Sequence, residues 1–369
     1  MMWAISAAAD ELRAIDDAGR RRQVFDFDAT SAVHGVYRGQ PVTSFASNDY
    51  LGLSRHPSTI AAAHDALDRW GTGSGSSRLI AGARPVHREL EVELADWKRD
   101  ARAVVFPSGF AANVGVLTSV ARAGTTILSD ALNHASIIDG CRLAPAEVVV
   151  YPHGDVAAIE STLRRTSQGI VVTETVFSMD GDSPPLEAIV AVCRRHGALL
   201  ILDEAHAVLA PEIALDGIDV IRVGTLSKHL GAAGGFAAGP APLIDLIINR
   251  ARAFIYTTAP APADVAAAMA ALRVVRSAEG EALMARLRHL AGRLRPGHAS
   301  PILPIVLGDE VAALAASDRF LHRGLLVPAI RPPTVPVGES RLRVSVSAAH
   351  SDLDIDRLLH ALDGVPATA

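Results

Sequence analysis

The chain has 369 residues, is 49% hydrophobic and carries a formal net charge of −5. That length allows two domains, or one large domain with an appendage, and the excess of acid argues against the broad phosphate-binding surface of a nucleic-acid enzyme. No stretch of about 18 residues is apolar and charge-free enough to be read as a membrane helix. The opening MMWAISAAADELRAID has acids where an export signal carries basic residues, so no signal is expected. Cys141 and Cys193 lack CxxC spacing and read as buried free thiols in a reducing compartment, which points to the cytoplasm. Lysine occurs twice, at Lys98 and Lys228, and the other 33 of the 35 basic residues are arginine. Arginine does not give up its proton near neutral pH and cannot serve as an amine nucleophile. Any lysine chemistry therefore has two candidates.

In chain order, residues 1 to 45 read as an N-terminal arm that begins with a helix carrying Leu12 and Ile15 on one face. From 46 onward, short apolar runs alternate with helical stretches. Strands are predicted at 102–107, 125–129, 147–151, 169–174, 198–203, 220–225 and 234–239, and helices at 83–99, 110–122 and 186–196. Continuous rather than alternating apolar strands imply a mainly parallel seven-stranded sheet covered on both faces, an α/β architecture. An alanine-rich helical region follows at about 261–297. PILPIVLG, LLVPAI and RLRVSVS with a closing helix at 351–362 then suggest a smaller C-terminal α+β domain. The expected division is an arm (1–45), a large domain (46–275) and a small domain (276–369). In open parallel sheets, ligands sit beyond the carboxyl ends of the strands. Ser108, Asp203 and Thr225 all lie at such ends.

The strand ending in Asp203-Glu204-Ala205-His206 also looks like the acidic box of a DEAH-type helicase. That reading needs a phosphate loop of the form GxxxxGK[ST]. The glycine-rich segment 71–82 contains no lysine, Lys98 follows Trp97, and Lys228 follows Ser227. Lys98, in HRELEVELADWKRD, reads as part of a solvated helix face opposite Leu90 and Leu94. Lys228 lies three residues past a predicted strand, among small residues suited to a tight loop beside a ligand. Pyridoxal phosphate (PLP) chemistry needs a lysine for a Schiff base, a carboxylate beside the pyridine nitrogen and a helix N-terminus for the phosphate. Lys228, Asp203 and FPSGFAANVGVL (106–117) supply those three types.

The segments SNDYLGLSRHP (47–57), GTGSGSSRLIAG (71–82), PSGFAAN (107–113), LNHASIIDG (132–140), ETVFSMDGDSPPL (174–186), LDEAHA (202–207), GTLSK (224–228) and IRPPTVPVGESRLRVSVSAAH (330–350) together resemble the α-oxoamine synthases, PLP enzymes of the aspartate-aminotransferase fold, fold type I. The resemblance implies a homodimer with a shared active site. It implies Lys228 as the cofactor-binding lysine and base, and Asp203 on the pyridine nitrogen. His206 and Ser178 would meet the ring oxygen, and His134 would stack on the ring. Gly109, Phe110 and Thr225 would hold the phosphate, joined by Thr258 of the second subunit, with Thr257 as its close competitor. Asn48 and Arg343 would clamp the substrate carboxylate. Arg343 alternates with Arg341 on a strand, so one of the two should face in and the other out. An arginine among Arg20, Arg21 and Arg22, with Arg21 the first choice, would meet the far end of an acyl chain. Arg78 and His87 also match family positions. The Arg-Pro-Pro-Thr-Val-Pro segment resembles the members that condense L-alanine with a pimeloyl thioester, carried on coenzyme A or on an acyl carrier protein; a sister enzyme using another amino acid or acyl thioester is the alternative. The resemblance implies no metal, no nucleic acid and no membrane. The chain departs from the family in the 18 residues between His206 and Thr225, where relatives carry a longer segment with a glycine-rich stretch, and at His229, where they have a small residue.

Overall fold

The computed structural model describes residues 3–298 and 300–364. The first helix, Trp3–Asp17, buries none of its residues, and Trp3 is 82% exposed. Three short strands follow, β1 (Phe27–Ala29), β2 (His34–Tyr37) and β3 (Gln40–Ser44), paired antiparallel in sequence order.

The central sheet contains β4 (Arg102–Phe106), β5 (Thr126–Asp130), β6 (Glu147–Tyr151), β7 (Gly169–Glu174), β8 (Leu199–Asp203), β9 (Val220–Thr225) and β10 (Gly235–Gly239). Its order is β4-β10-β9-β8-β7-β5-β6. β10 runs antiparallel to both neighbours and the remaining pairings are parallel. The seven predicted strands are thus the seven strands of one mixed, mostly parallel sheet. β8 is buried almost throughout, with Leu200, Ile201 and Leu202 at 1% exposure or less, because helices cover both faces. On one face the helix Leu186–His196 packs Ile189, Val190 and Cys193 against Leu200 and Leu202; on the other, the helix Gly109–Val120 brings Ala112 and Val116 to Ile201 and Val223. At about 0.8 kcal/mol per buried methylene, these layers fix the strand ends, and the strand ends fix the site.

Beyond the sheet, the alanine-rich region forms two helices, Pro262–Val275 and Ala278–Leu294. The C-terminal unit has β11 (Ile302–Gly308), β12 (Leu325–Leu326), β13 (Ala329–Ile330), β14 (Ser340–Ser345) and the helix Asp352–Leu362. The run LLVPAI is two strands rather than one. Pro328 interrupts it, since proline brings no donor to a ladder. β12 then pairs parallel with β3, while β13 joins the antiparallel sheet β11-β14-β13. The end of the N-terminal segment is tied to this unit again where Ser345 N donates to Phe45 O and His350 stacks on Phe45 with ring centroids 4.2 Å apart. Arg341 and Arg343, expected to face opposite ways, are both buried, at 3% and 5% exposure. Two residues apart on β14, they share one face of the strand, so the expected alternation does not hold. Each guanidinium is matched from the segment 177–182: Arg341 pairs with Asp180, and Arg343 Nε donates to Ser178 O. No described helix is long and apolar enough to cross a membrane.

Candidate active site

A cavity of about 180 Å³ lies at the carboxyl ends of β8 and β9 and the N-terminus of the helix Gly109–Val120. Gly109, Phe110, His134, Asp203, His206, Thr225 and Lys228 all line it, together with Ser108, Asn113, Ser136, Glu174 and Ser227. The parallel strands deliver these groups together because their carboxyl ends share one edge of the sheet.

Each wall has a local cause. Ser108 caps the helix, its Oγ accepting from Ala111 N and its carbonyl from Ala112 N. The first N–H groups of a helix have no acceptor within it, so those of Gly109 and Phe110 remain for an anion. The turn packs tightly on β10: a Cβ at Gly235 would meet Ser108 O at 2.4 Å and Gly109 N at 2.5 Å, so only glycine fits there. Thr225 Oγ1 lies 2.8 Å from Ser227 Oγ and accepts from Ser227 N, which fixes the loop leading to Lys228.

Asp203 is buried at the end of β8. Its Oδ1 accepts from Ala205 N at 2.9 Å and its Oδ2 from Asn113 Nδ2 at 2.7 Å. A carboxylate has about four acceptor positions, so both oxygens keep capacity for a donor in the cavity. Glu174, at the end of β7, accepts from His134 N at 2.6 Å. Burial, with Asp203 nearby, pushes its carboxyl well above the usual range. Burial lowers the Lys228 ammonium, an effect that Asp203 and Glu174 oppose and Arg343 reinforces. A lowered lysine is a better nucleophile and base near neutral pH.

His134 caps the helix Ala135–Leu143 through Nδ1, which accepts from Ser136 N at 3.2 Å. Nδ1 is therefore the bare nitrogen and Nε2 carries the proton. Desolvation lowers this imidazole, against the pull of Asp203. His206, buried 2.6 Å from Tyr50 Oη through its Nδ1, is held far below the ordinary imidazole value by burial and by Lys228 and Arg343.

The other expected residues lie elsewhere. Asn48 and Arg343 adjoin the cavity through Tyr50; both terminal nitrogens of Arg343 donate to Asn48 Oδ1, at 3.2 and 3.1 Å. Ser178 contributes its carbonyl to Arg343. Thr258 is exposed and does not line the cavity. Arg21 pairs with Asp16 in a separate cleft between the N-terminal segment and Arg331–Thr334, where Arg20 pairs with Glu310. Arg78 grips Glu91 with both terminal nitrogens, and His87 Nε2 lies 2.9 Å from Pro260 O, so both brace loops. Sequence reasoning passed over Asn113, Glu174 and Tyr50. Glu174 could have been found by the strand-end rule that found Asp203; Asn113 and Tyr50 stood inside quoted motifs, but only the packing shows what they touch.

Lys98 is not on a solvated face. Its Nζ is 2.6 Å from Glu204 Oε2 and 3.8 Å from the centroid of the Trp97 ring. Glu204 also takes Arg222 at 2.5 Å, and Arg222 Nε reaches Asp100 at 3.4 Å. The helix Pro85–Lys98 ends against the loop after β8, so its last residue is enclosed there. Glu204 thus points away from the cavity that Asp203 and His206 line, into a structural ion network.

The donors fit PLP: unpaired helix N–H groups for a phosphate, a carboxylate with spare acceptor sites, and a desolvated lysine converge on one cavity. Comparison with known proteins agrees. The model of the class I and II aminotransferases matches residues 40–362. An 8-amino-7-oxononanoate synthase of Paraburkholderia xenovorans is 42% identical over the whole of both chains, and one of Anaeromyxobacter sp. (strain K) is 46% identical over 96% of this chain and 94% of its own. Among solved structures, SPT with PLP superposes at a TM-score of 0.91 with 30% identity over 99% of this chain and 98% of that one. The 8-amino-7-oxononanoate synthase of Francisella tularensis superposes at 0.73 with 26% identity, over 87% and 96%. With the seven-stranded sheet, the small C-terminal unit and the cavity lysine in place, the chain belongs to the class I and II aminotransferase family of fold-type-I PLP enzymes, in its α-oxoamine synthase branch.

Proposed function

We propose that the protein condenses L-alanine with a pimeloyl thioester, releasing carbon dioxide and free thiol and forming 8-amino-7-oxononanoate, a step of biotin synthesis. The observation that carries the chemistry is the convergence of Lys228, Asp203 and the free helix N–H groups of Gly109 and Phe110 on one cavity. The identities support the choice of reaction: relatives of that name are 42–47% identical over most or all of the chain.

PLP, when bound, supplies an electron sink for negative charge at the amino acid's α-carbon. Gly109, Phe110 and Thr225 would hold its phosphate, Asp203 its ring nitrogen, His206 its ring oxygen, and His134 one ring face. Asn113 and Ala205 keep the Asp203 carboxylate aimed. Lys228 would hold the cofactor covalently, then take the substrate's α-proton, its basicity set by burial against Asp203 and Glu174. Arg343 would receive the alanine carboxylate, which takes the place of Asn48 Oδ1 on the guanidinium fork; a bidentate grip of this kind orients as well as binds. The Nε2 proton of His134 is available to the carbonyl oxygen of the incoming thioester.

The site is proposed to be shared in a homodimer. Ala259 N donates to Ser76 O, which joins the segments bearing Leu79, Ile80, Tyr256 and Thr258. Leu79, Ile80 and Tyr256 are 51%, 81% and 71% exposed, a surface that a second copy would cover and through which Thr258 would reach the partner's phosphate. A cytoplasmic location and a coenzyme A or carrier-protein thioester belong to the same reading, with Arg21 near the acyl terminus.

The test is release of thiol from pimeloyl-CoA and pimeloyl-carrier protein across a panel of amino acids. Release with L-alanine is expected, and its absence with both carriers would refute the substrate assignment. Borohydride should attach the cofactor to Lys228. A Lys228→Ala protein that still became labelled would refute the site.

A further inference from the structure

Tyr50 is fully buried, and its hydroxyl stands between His206 Nδ1 at 2.6 Å and Asn48 Oδ1 at 3.1 Å. A phenol has one proton to give. A carbonyl oxygen has two lone pairs, and both on Asn48 Oδ1 are already met by the terminal nitrogens of Arg343. The shorter contact and the unfilled acceptor are both at His206.

We infer that Tyr50 is a positioning residue for the reaction, donating its proton to His206 Nδ1 and thereby fixing the imidazole proton on Nε2, the nitrogen offered to the cavity. His206 carries a single ring proton, because burial and the cations Lys228 and Arg343 keep it neutral. In a neutral imidazole, the partner of one nitrogen decides the state of the other. With Nδ1 accepting, His206 presents a donor to a ring oxygen. With Nδ1 donating, it would present a bare nitrogen and repel that oxygen. The functional consequence rests on the PLP reading above; the tautomer does not.

The experiment is nitrogen-15 NMR on full-length protein labelled at histidine, with and without cofactor, His206 being identified from the signal lost in His206→Gln. In the wild type the proton is expected on Nε2, with Nδ1 bare and hydrogen-bonded; a proton on Nδ1 overturns the inference. In Tyr50→Phe, shown folded by circular dichroism, the Nδ1 resonance should move to that of a bare nitrogen without a donor. An unmoved resonance overturns the inference. Asn48→Ala should leave the tautomer as it is, whereas a switch of tautomer would mean that Tyr50 donates to Asn48 and the inference fails. The cofactor-free spectrum carries these outcomes alone, so a failed tautomer and a failed PLP assignment are told apart.

Discussion

Replacing Lys98 by methionine keeps the apolar stem over Trp97 and removes only the charge. Glu204 is 6% exposed and is held by two cations, Lys98 at 2.6 Å and Arg222 at 2.5 Å. Removing the partner of a buried ion costs about 3–5 kcal/mol when nothing compensates. Arg222 remains on the other carboxylate oxygen, so about half that cost, ~2 kcal/mol, is expected. At about 2.1 cal/mol/K per residue, a chain of this length loses roughly 2–3 °C of midpoint. The pH dependence has a definite sign. Burial alone would raise the Glu204 carboxyl, but Lys98 and Arg222 outweigh it and hold it below its ordinary value. A carboxyl depressed by folding stabilises fully above its unfolded pKa, about 4.3, and that stability is lost as pH falls through the folded value. The gap between wild type and Lys98→Met should therefore be full at pH 7 and close in acid. Urea and thermal melts from about pH 2 to pH 8 measure it, and adding Glu204→Gln should recover at least half the loss, as a double-mutant cycle of coupled residues does. Identical melts for wild type and Lys98→Met at pH 7 would refute the buried-network reasoning. Loss of bound cofactor from a folded Lys98→Met would instead place Lys98 in the chemistry.

Asn113→Leu removes the Nδ2 donor 2.7 Å from Asp203 Oδ2 and should cost about 1.5–3 kcal/mol of cofactor affinity, the usual worth of a hydrogen bond to a charged group; equal cofactor dissociation in variant and wild type would show that Asp203 needs no such support. His153 sits between Asp130 at 3.0 Å and Asp182 at 2.8 Å. Burial would lower it, but the two carboxylates prevail and raise it, so its contribution is whole below its unfolded pKa near 6.5 and is lost as pH rises through the folded value. Melts at pH 6 and pH 9 should therefore differ more in wild type than in His153→Gln. Gly181 has φ +68° and an added Cβ would lie 2.2 Å from Ile302 O. Gly181→Ala should cost about 2–5 kcal/mol from left-handed backbone strain and overpacking, and should shift the loop carrying Ser178 and Asp180 off Arg343 and Arg341, raising KM for the amino acid.

The sequence by itself determined the sheet and most of the cofactor site, and the reason is local. Uninterrupted apolar runs such as 199–203 have one stable use, as strands buried on both faces, and the chemistry follows each strand by a few residues, as Asp203 and Lys228 do. With only two lysines, composition alone narrowed the nucleophile. Tertiary structure decided whatever depends on residues far apart in the chain. Lys98 reads as a solvated helix end until Glu204, 106 positions later, is folded against it. Arg341 and Arg343 read as one in and one out, yet two residues apart they share a face of β14, and only the fold shows that the segment 177–182 covers that face and receives both guanidinia. Tyr50, a plain core aromatic in sequence, meets His206 only because the loop after β3 is packed over the ends of β8 and β9. A pattern of apolar residues records which face of an element is buried; it does not record what lies on the other side, and hydrogen-bond partners are chosen there.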